Sequence, residues 1–103
     1  MTENDLLNSV MELCAWLQYP AYHTHDSRRS VPGFPDLVIA IPGEKVLYRE
    51  LKTDKGRISP TQAQWIEALT SSGADVGVWR VSDWHSGVIR SELVIRRELG
   101  AVR

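Results

Sequence analysis

Two apolar segments joined by a short turn constrain the fold of this chain more than any other feature. Residues 36–41 (DLVIAI) form an almost continuous apolar run, which is typical of a strand covered on both faces. A Pro-Gly-Glu turn follows, and residues 46–53 (VLYRELKT) return as a second strand. The pair predicts a β-hairpin with further structure packed above and below it.

The segment before this hairpin predicts a helix, a short strand and a loop. Residues 4–18 repeat apolar side chains at helical spacing, with Asn4 or Asp5 as the N-cap. Residues 21–25 are compatible with a short strand. Residues 26–35, which are polar and rich in proline and glycine, predict a loop.

The segment after the hairpin begins with a helix signal. Ser59 as N-cap, Pro60 at the first helical position and Gln62 at the third resemble a capping box, and the helix should run to about Ser72. Residues 75–81 (DVGVWRV) then predict a strand.

A last helix is predicted over residues 91–99, although residues 88–95 are also compatible with extended structure. This order of elements predicts an α/β fold, in which a mixed sheet of about four strands is flanked by helices. A chain of 103 residues leaves room for one domain, so we assign residues 1–103 to a single domain.

Composition limits the possible partners and compartments. The net charge of −1 does not identify a nucleic-acid binder, but basic residues crowd the middle of the chain and could form a locally positive face. A single cysteine, Cys14, excludes an intrachain disulfide. No signal peptide or membrane-length apolar run is visible, so we expect a cytoplasmic protein without a membrane partner.

Three charged residues stand at the ends of the hairpin strands. Asp36 begins the first strand, while Glu50 and Lys52 lie near the end of the second. Side chains alternate along a strand, so Glu50 and Lys52 share one face and Leu51 points to the other. The position of the turn places Asp36 alongside this pair, and we expect all three side chains to converge at one end of the sheet.

This cluster suits metal-dependent phosphodiester hydrolysis. Asp36 and Glu50 offer oxygen ligands to a hard divalent cation, and the backbone carbonyl of Leu51 could supply another. Such a cation polarises a phosphodiester and activates water, while Lys52 can orient that water or stabilise negative charge. The plainer alternative is a surface ion pair between Glu50 and Lys52, with Asp36 as a turn residue.

The setting of these residues resembles the VRR-NUC family of nucleases, a branch of the PD-(D/E)xK superfamily. The similarity spans roughly residues 12–90 and is carried by four segments: GFPDL (33–37), ELKT (50–53), GRISPTQ (56–62) with Trp65 and Leu69, and GADVGVWR (73–80) followed by Ser82-Asp83. The resemblance implies a restriction-endonuclease-like fold.

The resemblance also implies roles for individual residues. Asp36 and Glu50 match the metal-binding acids, Lys52 the catalytic lysine, and Gln62 the glutamine next to the active site. Glu12 is similar in position to an accessory acid on the first helix, although a solvated helix face is an equal alternative. Mg²⁺ or Mn²⁺ is the implied cofactor, no organic cofactor is expected, and a homodimer acting on branched, flapped or junction DNA is implied.

Residues 23–30 (HTHDSRRS) allow two interpretations. They are either a solvated basic loop or a segment in which His23, as a second accessory residue, and Arg28 face the scissile phosphate. A zinc site is disfavoured because thiolate partners are absent. The candidate DNA-binding residues are Arg28, Arg29, Lys55 and Arg57.

The four tryptophans favour packing over base stacking. Trp16, Trp65 and Trp79 have core-facing spacings, whereas Trp84 is the most exposed candidate and a candidate subunit contact.

Two functions from different classes remain open. The first is a metal-dependent endonuclease acting on DNA, which requires Asp36, Glu50, Lys52 and Gln62 together. The second is a non-catalytic DNA-binding or assembly module on the same fold. It would bind DNA in a salt-sensitive manner without turnover.

Overall fold

The computed structural model describes residues 1–24 and 31–102, with side chains described to residue 96. The first half contains one helix and three strands: α1 (Glu3–Leu17), β1 (Ala21–His23), β2 (Leu37–Ile39) and β3 (Leu47–Lys52). The second half contains three helices and one strand: α2 (Pro60–Ser71), β4 (Asp75–Arg80), α3 (Val81–His85) and α4 (Val88–Val102).

The strands form one mixed sheet in the order β1-β2-β3-β4. The β1-β2 and β2-β3 pairs are antiparallel, whereas β3 and β4 are parallel and are connected through α2. Leu37 pairs with Arg49 across the hairpin, and Lys52 pairs with Arg80 across the parallel strands. The predicted mixed sheet of about four strands with flanking helices is therefore confirmed.

The two faces of the sheet carry different layers. Apolar residues of α1 and α4 pack on one face against the alternate residues Leu37, Ile39, Leu47 and Leu51, which are all buried. On the other face, Phe34 packs edge-on against Tyr48 of β3 and Trp65 of α2, with ring centroids 6.2 and 5.0 Å away. Tyr48, Glu50 and Lys52 share that second face, which puts the polar end of β3 under α2.

The helices begin and end at somewhat different residues from those predicted. Thr2, and neither Asn4 nor Asp5, is the N-cap of α1, because its hydroxyl accepts from the Asp5 N–H while Asp5 accepts from the Thr2 N–H. Ser59, Pro60 and Gln62 start α2 as predicted. Val81 begins α3, a five-residue helix that was not predicted, and α4 begins at Val88, so residues 88–95 are helical.

The tryptophan predictions were partly wrong. Trp16 is 81% exposed, because it lies two residues after buried Cys14 and therefore roughly 200° around the helix from it. Trp84 is half-buried and packs against the core, and Trp79 is buried as predicted.

Within the described residues, no helix is long and apolar enough to cross a membrane.

Candidate active site

The hairpin register brings Asp36 and Glu50 together. Leu37 pairs with Arg49, so the preceding residue, Asp36, lies across from Glu50 and on the same face. Asp36 Oδ2 accepts a hydrogen bond from the Leu51 N–H at 2.9 Å, which holds the aspartate against the end of β3. The backbone of β3 thus fixes Asp36, and the same strand places Glu50 beside it.

Glu50 is a buried acid in an unusual electrostatic setting. The residue is only 2% exposed, and its Oε1 accepts a hydrogen bond from Gln62 Nε2 at 3.1 Å. Burial raises the pKa of Glu50 to about 9, and hydrogen bonding to Asp36 and repulsion from its carboxylate add to the increase. The positive charge of Lys52 opposes this shift, so the three predicted residues act on one another electrostatically.

Gln62 is positioned by the start of α2. Its backbone N–H donates to Ser59 Oγ at 3.2 Å, and its side-chain Oε1 accepts from the Ser59 N–H at 2.8 Å. The amide oxygen is therefore used by the capping box, and the amide nitrogen is left to point at Glu50. One side chain thus caps the helix and orients the acid.

Gly33 lets the loop before Asp36 lie directly on this helix start. Its φ is +88°, and a Cβ built there would lie 2.4 Å from the Thr61 carbonyl carbon and 2.8 Å from the Gln62 nitrogen. Both atoms belong to backbone, which cannot move aside without shifting α2. The close approach encloses a cavity of about 330 Å³ whose lining includes Thr24, Asp36 and Gln62.

Lys52 lies beyond Glu50 on the same face and is half-buried. A turn formed by residues 53–56 packs against its stem, since a Cβ on Gly56 would lie 3.2 Å from Lys52 Cδ. Among the described residues, no carboxylate forms an ion pair with its ammonium group. Within that part of the chain, its charge is not neutralised by a structural salt bridge.

The acid of the first helix that lies at this site is Glu3, whereas Glu12 lies elsewhere on α1. Glu3 raises the pKa of Glu50 by charge repulsion, and it lines a cavity with Asp36 and Leu51. Glu12 lies nine residues further along α1, roughly 13 Å away along the axis, in a groove with Trp16 and Trp84.

A sequence signal for Glu3 existed. It lies three residues before Leu6 and seven before Val10, so it continues the buried stripe of α1 to the end of the sheet. Glu12 follows Val10 by two residues and points away from that stripe.

The other predicted residues lie in different places. His23 pairs with Leu37, so its side chain lies on the α1 face of the sheet. Asp36 and Glu50 lie on the opposite face. Lys55 and Arg57 are exposed in the segment after β3. Arg28 and Arg29 lie outside the described residues.

The described residues contain no group of three or more histidine, cysteine or acidic side chains able to hold a metal. Asp36 and Glu50 therefore form a pair of carboxylates. The backbone of Leu51 contacts this pair through its N–H, which donates to Asp36. Hard cations such as Mg²⁺ are often held by one or two carboxylates and several waters, so a pair is a compatible donor set.

Comparisons with known proteins find relatives of this chain. The VRR-NUC domain model matches residues 3–83. The chain is 42% identical over 60 residues to the "Fanconi-associated nuclease 1 homolog" of Schizosaccharomyces pombe, a match that covers 57% of this chain. The match covers 8% of that protein, which is far longer than this chain.

A solved structure named "VRR_NUC domain protein" has the same fold. Its TM-score is 0.65 at 23% identity, and the superposition covers 87% of this chain and 86% of the other. Fold, site geometry and a family match over residues 3–83 lead to one conclusion: the chain belongs to the VRR-NUC family of nuclease domains.

Proposed function

We propose that this protein is a metal-dependent endonuclease that hydrolyses phosphodiester bonds in DNA. The observation that carries the proposal is the buried Glu50 carboxyl group, held against Asp36 and beside Lys52 at one end of the sheet. A fold gains no stability from burying an acid next to another acid, so this arrangement is better explained by a ligand that neutralises both.

The donor set favours Mg²⁺ or Mn²⁺ over a softer metal. Asp36 and Glu50 offer hard carboxylate oxygens, and each already uses one oxygen to accept a hydrogen bond from the protein. The remaining oxygens, with the Leu51 carbonyl as a further candidate, would hold the cation. When bound, the cation supplies positive charge for a phosphate oxygen and lowers the pKa of a coordinated water.

Lys52 and Gln62 have distinct proposed roles. Lys52 provides an ammonium group that can stabilise negative charge on the phosphate or orient the attacking water. Gln62 fixes one oxygen of Glu50, and with it the direction of the other. Glu3 stands where a further acid can act on the same site, and it replaces Glu12 in that proposal.

DNA is the proposed substrate, with contacts from basic side chains around the site. Lys55 and Arg57 are exposed directly after β3 and can bind the phosphate backbone. Arg28 and Arg29 are proposed as further phosphate contacts. The preference for branched, flapped or junction DNA is proposed from the family resemblance.

We also propose that the protein is a homodimer. Trp16 is 81% exposed and lines a groove of about 600 Å³ between α1, α3 and α4, together with Leu13 and Trp84. A large exposed aromatic side chain is a common anchor of protein interfaces. Sedimentation should show a dimer that Trp16→Glu converts to a monomer, whereas a monomeric wild-type protein would exclude this proposal.

Cleavage assays test the proposed function. We expect the protein to cut at least one of plain duplex, flap and four-way-junction DNA with Mg²⁺ or Mn²⁺, and to be inactive in EDTA. Lys52→Ala should lower the rate at least 100-fold, because a positioned charge is lost from the reaction site.

Lys45→Ala is the matched control. Lys45 lies before the opposite end of β3, where its ammonium group donates to the Gly73 carbonyl. This variant should cut at the wild-type rate. Salt-sensitive DNA binding without cleavage of any substrate would instead support the non-catalytic module.

A further inference from the structure

Arg80, at the end of β4, reaches into the turn that follows Lys52. Its Nη1 lies 2.7 Å from the Thr53 carbonyl oxygen, 2.8 Å from that of Gly56 and 3.3 Å from that of Asp54. The parallel register places Arg80 beside Lys52 on the neighbouring strand. One guanidinium group thus contacts three of the four carbonyl groups of the turn at residues 53–56, which we call the Lys52 turn.

The Lys52 turn is tied back to the same region from the other direction. Asp54 Oδ1 accepts from the Ser82 N–H at 2.8 Å, and Asp83 Oδ2 accepts from the Arg80 N–H at 2.7 Å. Hydrogen bonds from Ser82, with the positive charge of Arg80 contributing, lower the pKa of Asp54. The turn and the start of α3 are therefore connected by two charged side chains: Asp54 accepts from Ser82, and Arg80 donates to the turn carbonyls.

This turn is in contact with Lys52. The Gly56 N–H donates to the Thr53 carbonyl at 3.1 Å, which closes the turn, and Gly56 faces the lysine stem. A Cβ at Gly56 would lie 3.2 Å from both Lys52 Cδ and Thr53 Oγ1. The turn packs against the lysine stem, and the hydrogen bonds from Arg80 hold the turn in that position.

We propose that Arg80 is a positioning residue for Lys52, which it restrains through the Lys52 turn without contacting the substrate. This inference rests on the proposed function, because it assigns Arg80 a part in the same site. A lysine ammonium group moves on a flexible four-carbon stem, and small displacements of a catalytic group can cost up to about 100-fold in rate. A restrained stem keeps the charge at the reacting phosphate.

The test compares Arg80→Met, which removes every donor, with Arg80→Lys, which keeps the charge on a shorter side chain. Arg80→Met should lower kcat at least tenfold and leave KM, the salt dependence of DNA binding and Mn²⁺ affinity within about twofold of wild type. Arg80→Lys should recover part of the lost kcat, because an ammonium group can still donate to carbonyl oxygens.

Amide hydrogen exchange gives a readout that is independent of activity. Residues 53–58 should exchange faster in Arg80→Met, whereas α2 should be unchanged. Lys45→Met is the control, since it also removes a cation that donates to a backbone carbonyl, but at the other end of the sheet. If Arg80→Met does not fold, Asp54→Ala loosens the same turn from its Ser82 side and should lower kcat in the same manner.

Three outcomes would overturn the inference. A raised KM with a weaker salt dependence would make Arg80 a phosphate contact. Loss of Mn²⁺ binding together with kcat would make its role generally structural. A wild-type kcat despite faster exchange in residues 53–58 would show that the turn does not position Lys52. If the wild-type protein cuts no DNA, the proposed function itself fails, which is a different result from normal cleavage by Arg80→Met.

Discussion

Glu50 is the residue on which the proposed chemistry of this site depends. Its carboxyl group is buried between Asp36, Gln62 and the end of β3, with only 2% of the residue exposed. Burial, followed by the proximity of Asp36, raises its pKa to about 9, so Glu50 is protonated at neutral pH when no cation is bound. The metal-free protein therefore carries a proton that a cation would have to displace.

Glu50→Gln should stabilise the metal-free protein at neutral and alkaline pH. The raised folded-state pKa means that the folded protein retains a proton that the unfolded chain loses, from pH 4.5 up to about 9. Wild-type stability is therefore lost as pH rises through this window, and glutamine removes that loss. We expect a gain of about 2 kcal/mol in the free energy of unfolding at pH 7, and almost none near pH 4.

Urea unfolding in EDTA across pH 4–9 measures this difference. Glu67→Gln, which removes an exposed carboxylate from α2, controls for the change in net charge. A constant difference between Glu50→Gln and wild type over the whole range would contradict the buried, protonated state of Glu50.

Residues whose positions follow from local geometry could be predicted from the sequence. Alternation along β3 and the short turn were enough to place Asp36 beside Glu50 and Lys52. Glu3 was missed because its relation to the site depends on how α1 crosses the end of the sheet, which is a tertiary property. Trp16 differs from its prediction because it lies beside the apolar stripe of α1 in sequence but outside it on the helix surface.

At the scale of elements, the start of α2 and the loop before β2 form one unit. Ser59 and Gln62 cap the helix reciprocally, and Gly33 lies against the backbone of Thr61 and Gln62. Any side chain at position 33 has to push the helix start away, and Gln62 would then move away from Glu50. The helix start is thus coupled to the geometry of the candidate site.

Gly33→Ala should destabilise the protein by about 2 kcal/mol or more, because left-handed backbone strain is combined with a backbone clash. Gly73→Ala is the matched control: its φ of +86° is nearly the same as the +88° of Gly33, but a Cβ there meets nothing within 4 Å. That variant should cost only about 1 kcal/mol. Thermal unfolding measures both, and equal losses would show that the contact of Gly33 with α2 contributes nothing.

Elements with strong local signals were predicted, and those held by tertiary contacts were not. The capping box of α2 and the apolar hairpin runs determined their elements locally. Helix α3 has only five residues, and its start depends on Asp83 accepting from the Arg80 N–H and on Asp54 accepting from the Ser82 N–H. The second of these contacts comes from a distant segment, so no short window of sequence predicts it.

At the scale of the whole molecule, a network of ion pairs among the described residues can be compared with the candidate site. Away from the candidate site, Arg49 is 4% exposed and bonds to Asp75 at 2.8 Å and Glu92 at 2.6 Å, while Arg96 bonds to Asp75 at 2.7 Å. Trp79 adds a donor to Glu92 and a ring 5.0 Å from the Arg49 guanidinium carbon. This network balances its charges and attaches α4 to the sheet.

The candidate site differs from that network because, among the described groups that shift the Glu50 pKa, two acids stand against one cation. Glu50 and Asp36 face each other with Glu3 nearby, and Lys52 is the cation among the groups that shift the Glu50 pKa. The contrast within one small chain supports a ligand role for the first cluster and a structural role for the second.

Calorimetric titration with Mn²⁺ at pH 7, in buffers of different ionisation enthalpy, tests the central claim most directly. We expect saturable binding with release of close to one proton per cation, because Glu50 must ionise to become a ligand. Asp36→Asn should weaken this binding at least tenfold. The account would be contradicted if the wild-type protein showed no saturable binding at millimolar Mn²⁺, or if a protein carrying both Asp36→Asn and Glu50→Gln bound the cation equally well.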